Sequence, residues 1–516
     1  MGAWRQLRAG LALAALLLVG SCGDGGGSAG GGGGGPIVSP PAGPTISAIT
    51  GSDGELTIAF APAAGSAATS HTATCTSGID SISASGSASP IVVSGLDNGV
   101  PWSCTVRAGT APASAAVVGT PNPPLPVAAA LPVLAVRTDS GDPVTSTEIY
   151  LPATYRLTDT DGTVLAEAAT EVRGRGHSTW PLPKKPYRLK LAASTALLGM
   201  PANRHWVLLA NYLDKTLVRT ELAFDLAERM GFAWTPRSRP VVLEFNGEYQ
   251  GVYQLVEHIR IGPSRVNIPE LKLTDTAPDR ISGGYLIEID ERRGEDYCPQ
   301  GPRSGVVFCF ANPETLLQPG WEPHKAWIDQ YLAETEAALY GPGFADPLTG
   351  YAAFIDVPSA IDWYLLNELF KNIDSNFYSS VFLYKPRDGK LTFGPVWDFD
   401  LSAGNVEDGN GGQATGWRTR QAAWFTRLFE DPAFAARVRE RWKQLRANGT
   451  INALFAAADR RAAFYRTVQR RNFERWPVLS TPLRGTRPVL GSYETQVTEM
   501  KAWMLLRRDW MDQQFN

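Results

Sequence analysis

Between Thr45 and about Thr120 the chain alternates apolar and polar positions in brief runs: Leu56-Thr57-Ile58-Ala59-Phe60, Thr72-Ala73-Thr74-Cys75, Ile91-Val92-Val93 and Ser103-Cys104-Thr105-Val106. Period-two alternation buries one face of each run, and runs at this spacing between turn residues predict a small all-β sandwich over 45–120. From about Ala130 the pattern lengthens and mixes. Val133 to Thr138 and Glu148 to Leu157 read as strands, the second at a sheet edge because Pro152 cannot donate to a ladder. Ala166 to Val172 leads into the segment Arg173 to Leu191. There Tyr187, Leu189 and Leu191 face a core, while Arg188 and Lys190 face the other way. A helix is predicted over Leu213 to Met230, stopped by Gly231. A hairpin follows around Asn246-Gly247, then a strand at 283–290. The loop between Cys298 and Cys309, with Pro299 and Pro302, reads as a surface insertion.

Ile361, Tyr364, Leu365, Leu369 and Phe370 recur at helical spacing from Ser359, so a buried helix stops near Asn372 and leaves Asp374 in the loop beyond it. Val381 to Tyr384 and Leu391 to Trp397 then form a hairpin around Pro386, Asp388 and Gly389. On a regular second strand Val396, Asp398 and Asp400 share one face, with about 7 Å between the two acids. From Trp424 onward Phe425, Leu428, Phe429, Phe434, Val438 and Trp442 supply the buried stripe of a supporting helical tail. The fold class is therefore α+β: a small all-β sandwich, then one large domain over 130–516 whose C-terminal part is largely helical.

With 516 residues, 44% of them hydrophobic and 19% charged, the chain has room for two domains and a large core. A formal net charge of -3 and the lack of a basic stripe give no reason to expect nucleic acid. Arg5 and Arg8 precede the apolar run Leu11 to Val19 and Gly20-Ser21-Cys22, the order of a signal peptide over 1–22. Val19-Gly20-Ser21-Cys22 resembles a bacterial lipobox. It predicts lipidation of Cys22 and an exported protein anchored by lipid in the bacterial envelope, with Gly23 pointing to the outer membrane by resemblance to lipoprotein sorting signals. Residues 23–44 form a Gly/Pro-rich spacer, and Pro121 to Pro126 a second, stiffer linker. The remaining cysteines fall into two local pairs, Cys75 with Cys104 and Cys298 with Cys309, which read as disulfides in an exported chain.

Asp374, Asp398 and Asp400, each at the end of an element, have the oxygen chemistry to hold a divalent cation. Upstream lie a Gly-containing turn with basic residues, a strand carrying Lys190, a helix with acids and a hairpin. That is the order of parts in a protein kinase. RGRGHSTWPLPKKPYRLKL, LLANYLDKTLVRTELAFDLAERMG, NGEYQGVYQLVEHI and GPVWDFDLSAGN resemble the recurring blocks of the spore coat protein H (CotH) kinase-like family, over roughly 130–516. Residues 45–120 resemble a fibronectin type III module.

The family resemblance implies an atypical protein-kinase-like domain. It would use ATP with Mg²⁺ or Mn²⁺ to phosphorylate serine, or threonine, of a surface or envelope protein. By the same resemblance Asp374, in Asn372-Ile373-Asp374, is the catalytic acid, Asp398 and Asp400 hold the metal, and Lys190 and Arg173 with the Gly174–Gly176 turn meet the phosphates. Lys184, Lys185 and Arg188 are alternatives for the reaching cation, and Glu221 or Glu257 is the expected partner of Lys190. Arg219 matches a basic position in the family block.

The chain lacks G-x-G-x-x-G, H-R-D and D-F-G motifs. Where family members carry an Asn after the catalytic acid it has Ser379 and Ser380, with Asn376 earlier in the loop as a substitute. His177 and His258 lie in family blocks with no Ser or Cys nucleophile motif beside them. A second reading is a non-catalytic surface-binding lipoprotein that keeps the fold, because ATP is scarce outside the cytoplasm.

Overall fold

The alternating runs of the first module fold into seven strands: β1 (Thr45–Ser52), β2 (Glu55–Ala61), β3 (His71–Ser77), β4 (Asp80–Gly86), β5 (Ile91–Ser94), β6 (Trp102–Ala108) and β7 (Val117–Gly119). They make two sheets, β1-β2-β5 and β4-β3-β6-β7, closed on a core of Leu56, Ile58, Val93, Trp102 and Val106. Cys75 and Cys104 are directly opposite on β3 and β6 and are disulfide-bonded. This computed structural model describes residues 43–121 and 130–515, apart from residues 53, 67, 79, 98, 99, 295, 408, 409, 484 and 487–489. The expected signal segment, the lipobox with Cys22, nearly all of the 23–44 spacer and most of the proline linker lie outside these residues.

Seven further strands build a closed barrel: β8 (Val133–Thr138), β9 (Leu151–Thr158), β10 (Val164–Gly174), β11 (Tyr187–Leu197), β12 (Met200–Leu209), β13 (Ser238–Phe245) and β14 (Glu248–Glu257). Their order is β10-β11-β12-β14-β13-β8-β9. Closure corrects the edge position expected for Pro152, because β9 is paired on both sides. The Pro152 carbonyl accepts from the Asp139 N–H at 3.0 Å, so its absent donor also faces the β8 side, beyond the last paired residue of β8, Thr138. Tyr187, Leu189 and Leu191 point into the barrel with Trp206, Val241 and Leu255. Arg188 and Lys190 point out of it. Asn246 and Gly247, both at positive φ, make the β13–β14 turn as their sequence predicts.

Helix α1 (Arg219–Met230) starts six residues later than the pattern suggested. The Asp214 carboxylate accepts the backbone N–H of Thr216 at 3.0 Å and of Arg219 at 2.9 Å, and this caps the helix from outside. Leu217, at φ +63°, belongs to the irregular approach. Gly231 closes the helix in the left-handed region.

A single-turn α2 (Pro278–Ile281) precedes a second sheet of β15 (Tyr285–Ile289), β16 (Phe308–Asn312), β17 (Val381–Lys385) and β18 (Thr392–Phe393), ordered β16-β15-β17-β18. The Cys298–Cys309 disulfide is formed, but the segment is not a surface insertion. Cys309 is buried within β16, and the Glu336 carboxylate accepts the N–H groups of Arg303 at 2.8 Å and Ser304 at 3.2 Å. β18 is shorter than the strand predicted over Leu391 to Trp397. Gly394 at φ +119° ends it and Asp398 adopts φ +63°, so Asp398 and Asp400 do not follow strand alternation.

Helices α3 (Glu322–Tyr340), α4 (Val357–Phe370), α5 (Ala423–Leu428), α6 (Pro432–Ala447), α7 (Thr450–Arg475) and α8 (Tyr493–Phe515) complete the domain. Of the expected stripe, Phe425, Leu428, Phe434, Val438 and Trp442 are buried and Phe429 is half-buried. α7 rests on α1 and β14, and α8 on α4. Among the described residues no helix is long and apolar enough to cross a membrane.

The sandwich is seated on this helical tail. Asp80 pairs with Arg446 at 2.8 Å and Arg508 at 2.9 Å, and Leu505 packs against the sandwich core. Asp97, in the loop between β5 and β6, faces Arg508, Asp80, Asp459 and Lys501. Burial pushes its carboxyl up to about 7, against the pull of Arg508. The folded form therefore holds this proton more tightly than the unfolded chain. The stability it contributes is present below about pH 4 and is lost as pH rises through about 7. Asp97→Asn is expected to flatten the fall in melting temperature between about pH 5 and pH 8, and equal slopes for variant and wild type would refute this.

Candidate active site

The outward faces of β11 and β12 and the sheet around β15 wall a cleft of ≈ 1120 Å³. Its barrel side carries Arg173, Arg188, Lys190, His205, His258 and Arg260. Its other side carries Glu288, Asp290, Asp398 and Asp400, with Arg292 paired to Asp290 at 2.9 Å and Arg175 facing the acids. The turn that brings Arg175 in requires glycine twice. A Cβ on Gly174 would stand 2.4 Å from the Trp180 ring, and Gly176 has φ +82°. Arg175 then lies over the Trp397 ring at 5.5 Å and faces Asp398, Glu288 and Asp400.

The expected phosphate-binding residues fall differently from one another. Lys190 lines the cleft and forms a 2.8 Å ion pair with Glu171, its cross-strand partner on β10. Neither Glu221 nor Glu257 is its partner. Glu221 is buried between α1 and α7, where the Tyr465 hydroxyl donates to it at 2.6 Å and Arg461 stands 3.3 Å away. It is not among the residues lining the cleft. Glu257 is held by Arg265 at 2.5 Å and Arg237 at 2.8 Å. Arg173 donates to the Thr147 carbonyl and lies over the Tyr150 ring. Lys184 is committed to the Val252 carbonyl at 2.6 Å and Asn472 Oδ1 at 3.0 Å, and Lys185 to the Trp180 carbonyl at 2.7 Å. His177 lies exposed at the rim.

Asp374 and the Asp398–Asp400 loop are stitched together by neighbouring polar groups. Asn372 accepts the Asp374 N–H at 3.2 Å and donates from Nδ2 to the Asp398 carbonyl at 3.1 Å. Arg418 donates to the Ile373 carbonyl at 2.6 Å. Arg219 donates to the Ser402 carbonyl at 3.1 Å while paired with Asp214, which gives the basic family position a positioning role. Asn405 donates to the carbonyls of Leu213 and Asp400.

Burial, then the charge of Asp398, pushes the Asp374 carboxyl up to about 7. The same two causes, in the same order, hold Asp400 well above the usual carboxylate range. Asp374 does not line the cleft itself. Ser380 Oγ stands 3.4 Å from Asp398 Oδ2, and Ser379 Oγ and Asn376 Oδ1 are buried without a partner.

Residues passed over in the sequence are Arg175, His205, Arg292 and above all Glu288. Glu288 sits mid-strand in β15, and burial followed by Asp290 pushes its carboxyl up to about 8. A readable sign existed: Leu286, Glu288 and Asp290 share one face, and a carboxyl inside so apolar a strand needs a purpose.

Among the described residues no three His, Cys, Asp or Glu side chains form a ready-made metal cluster. The donors nonetheless fit a hard cation of the Mg²⁺ type. That ion uses one or two carboxylates and fills its remaining positions with water and phosphate oxygens. Asp398 and Asp400 supply the two, and their mutual repulsion is what a cation would relieve.

No curated protein matches the chain. A family model described as CotH kinase protein matches residues 172–511, about two-thirds of the sequence. That match runs from the end of β10 into α8 and so takes in the cationic wall, Asp374 and the Asp398–Asp400 loop. Membership of a kinase family implies the use of ATP and a divalent cation in general terms. The chain belongs to the CotH kinase protein family.

Proposed function

We propose that this protein is an exported atypical protein kinase that transfers the γ-phosphoryl group of ATP to serine or threonine of a surface or envelope protein. It would work from a lipid anchor at Cys22 in the bacterial envelope, in the outer membrane, with a fibronectin type III-like module seated on its helical tail. The observation that carries the catalytic reading is a single cleft with cations on one wall and carboxylates on the other. Phosphoryl transfer asks for little else: positive charge to hold the phosphates, carboxylates for the metal, and an acid near the accepting hydroxyl.

In this reading Asp398 and Asp400 hold the cation, which neutralises charge on the phosphates as they react. Lys190, Arg173 and the Gly174–Gly176 turn bind the phosphates, with Glu171 fixing the Lys190 ammonium. By the family motif Asp374 takes the proton of the accepting hydroxyl, from a position outside the cleft lining that Asn372 ties to the Asp398 backbone. Burial is the first cause that raises the Asp374 carboxyl above the usual carboxylate range, the direction a general base working near neutrality needs.

The test is incubation of the purified protein with labelled ATP and Mg²⁺ or Mn²⁺. Asp374→Asn is expected to lower transfer by roughly 10²- to 10⁴-fold with little change in nucleotide binding. A wild-type protein that neither binds nucleotide nor transfers label would overturn the kinase reading and leave a surface-binding lipoprotein in its place.

A further inference from the structure

On the barrel side of the cleft four buried polar atoms have no partner: Nε of Arg173, Nε of Arg188, and Nδ1 of both His205 and His258. Leaving buried donors and acceptors unmade is costly, and natural folds seldom gather several in one place unless something else completes them. Cations are the charged groups nearest both imidazoles. His205 faces Arg260, Arg188, Arg204 and Lys190, and His258 faces Arg188, Arg260, His205 and Arg175. The carboxylate that meets this set is Glu314, 2.8 Å from Arg260 and 3.8 Å from Arg188, and it is more than half exposed. Burial and then the neighbouring cations hold His205 down to about 3 and His258 well below its ordinary value. Both imidazoles are thus neutral, each with a donor and an acceptor nitrogen.

The groups are also spread in a telling way. Arg188 stands on β11, His205 on β12 and His258 just past the end of β14, three neighbouring strands of the barrel. At the spacing of paired strands they cover about 10 Å, longer than one phosphate or carboxylate and comparable to a di- or triphosphate chain. Of the other candidate cations, Lys184 and Lys185 are taken up by carbonyls, while Lys190, fixed by Glu171, stays on the cleft face beside Arg188. We infer that Arg188, His205, His258 and Arg260 form the seat of the polyphosphate chain of a nucleoside di- or triphosphate, with Glu314 as the internal competitor for the same cations. The choice of a nucleotide rests on the phosphoryl-transfer reading; the preference for a polyanion rests on the wall itself.

The experiment is calorimetric titration of the full protein with inorganic tripolyphosphate, beside label transfer from ATP. Arg188→Met keeps the buried stem and is expected to weaken tripolyphosphate binding by roughly 10- to 100-fold. His205→Gln with His258→Gln should weaken it by roughly 3- to 30-fold. Lys185→Met, which removes one positive charge outside the cleft, should change it by less than about 3-fold. Glu314→Gln should tighten binding by roughly 3- to 10-fold, a gain that misfolding cannot imitate. Unchanged affinity in Arg188→Met and Glu314→Gln overturns the seat. Tripolyphosphate binding that follows these variants without any label transfer keeps the seat and removes the kinase reading. Full transfer by Arg188→Met does the reverse.

Discussion

Asp398→Asn is expected to lower phosphoryl transfer at least about 10³-fold while leaving the protein as stable as the wild type, or more so, above about pH 7. The substitution is chosen for its backbone. Asp398 sits at φ +63°, a conformation that Asn adopts about as readily as Asp, so the side-chain charge is lost without a cost in the turn. That charge is the second-largest cause, after burial, of the upward shifts at both Asp374 and Asp400. A carboxyl raised in the folded state contributes stability that fades as pH rises through its folded value, here about 7 for Asp374. Removing Asp398's charge shrinks the shift and therefore the loss.

Added Mg²⁺ should raise the melting temperature of the wild type at pH 8 by mass action and do little for the variant. Activity and stability thus move in opposite directions, a pattern that a merely structural carboxylate does not give. Transfer within about 10-fold of wild type, or a variant that melts earlier at pH 8 without cation, would sink the assignment.

Much of the fold was legible in the sequence because it rests on periodicity. β8 carries the residues read for it, the Asn246-Gly247 hairpin closes as its turn chemistry requires, and α4 ends within two residues of where its apolar pattern stops. The failures share a cause: long-range contacts overrode a local pattern. Pro152 reads as an edge until the barrel closes around it. Leu213 to Val218 is apolar enough for a helix, yet Asp214 takes the amides that would have begun one earlier. Leu391 to Trp397 alternates like a strand, yet Gly394 and Asp398 turn it away from β17.

At the site, the sequence named acids by their position at element ends, and Asp398 and Asp400 do reach the cleft. It could not name the partner of Lys190. The pairing of Glu171 with Lys190 is set by β10–β11 register, which no local pattern encodes. Nor could it show that Arg188, His205 and His258, separated by up to seventy residues, would stand on adjacent strands with unfilled hydrogen-bonding atoms.

Arg507→Met is expected to destabilise the domain by about 3–5 kcal/mol, read as a lowered denaturant midpoint, and to slow transfer while leaving KM for ATP nearly unchanged. Arg507 and Glu368 are fully buried and paired at 2.7 Å. The arginine, on α8, also donates to the carbonyls of Glu368, Ala414 and Gly416. Glu368, near the end of α4, accepts the backbone N–H groups of Arg418 at 3.1 Å and Arg420 at 2.8 Å. Arg418 in turn holds the Ile373 carbonyl next to Asp374. The chain of contacts runs from the helical tail to the acid that would meet the accepting hydroxyl, so loosening it displaces Asp374 without touching the cationic wall.

Burial already strains Glu368 toward its neutral form against the pull of Arg507. Losing the guanidinium removes that pull, and the carboxyl keeps its proton to higher pH. A pair this deep is a poor source of net stability but a costly one to break halfway. Glu368→Leu combined with Arg507→Met should therefore recover part of the loss in stability and none of the transfer rate, because the amides of Arg418 and Arg420 remain without their acceptor. Recovery of the rate in the double variant would show that the pair serves packing alone.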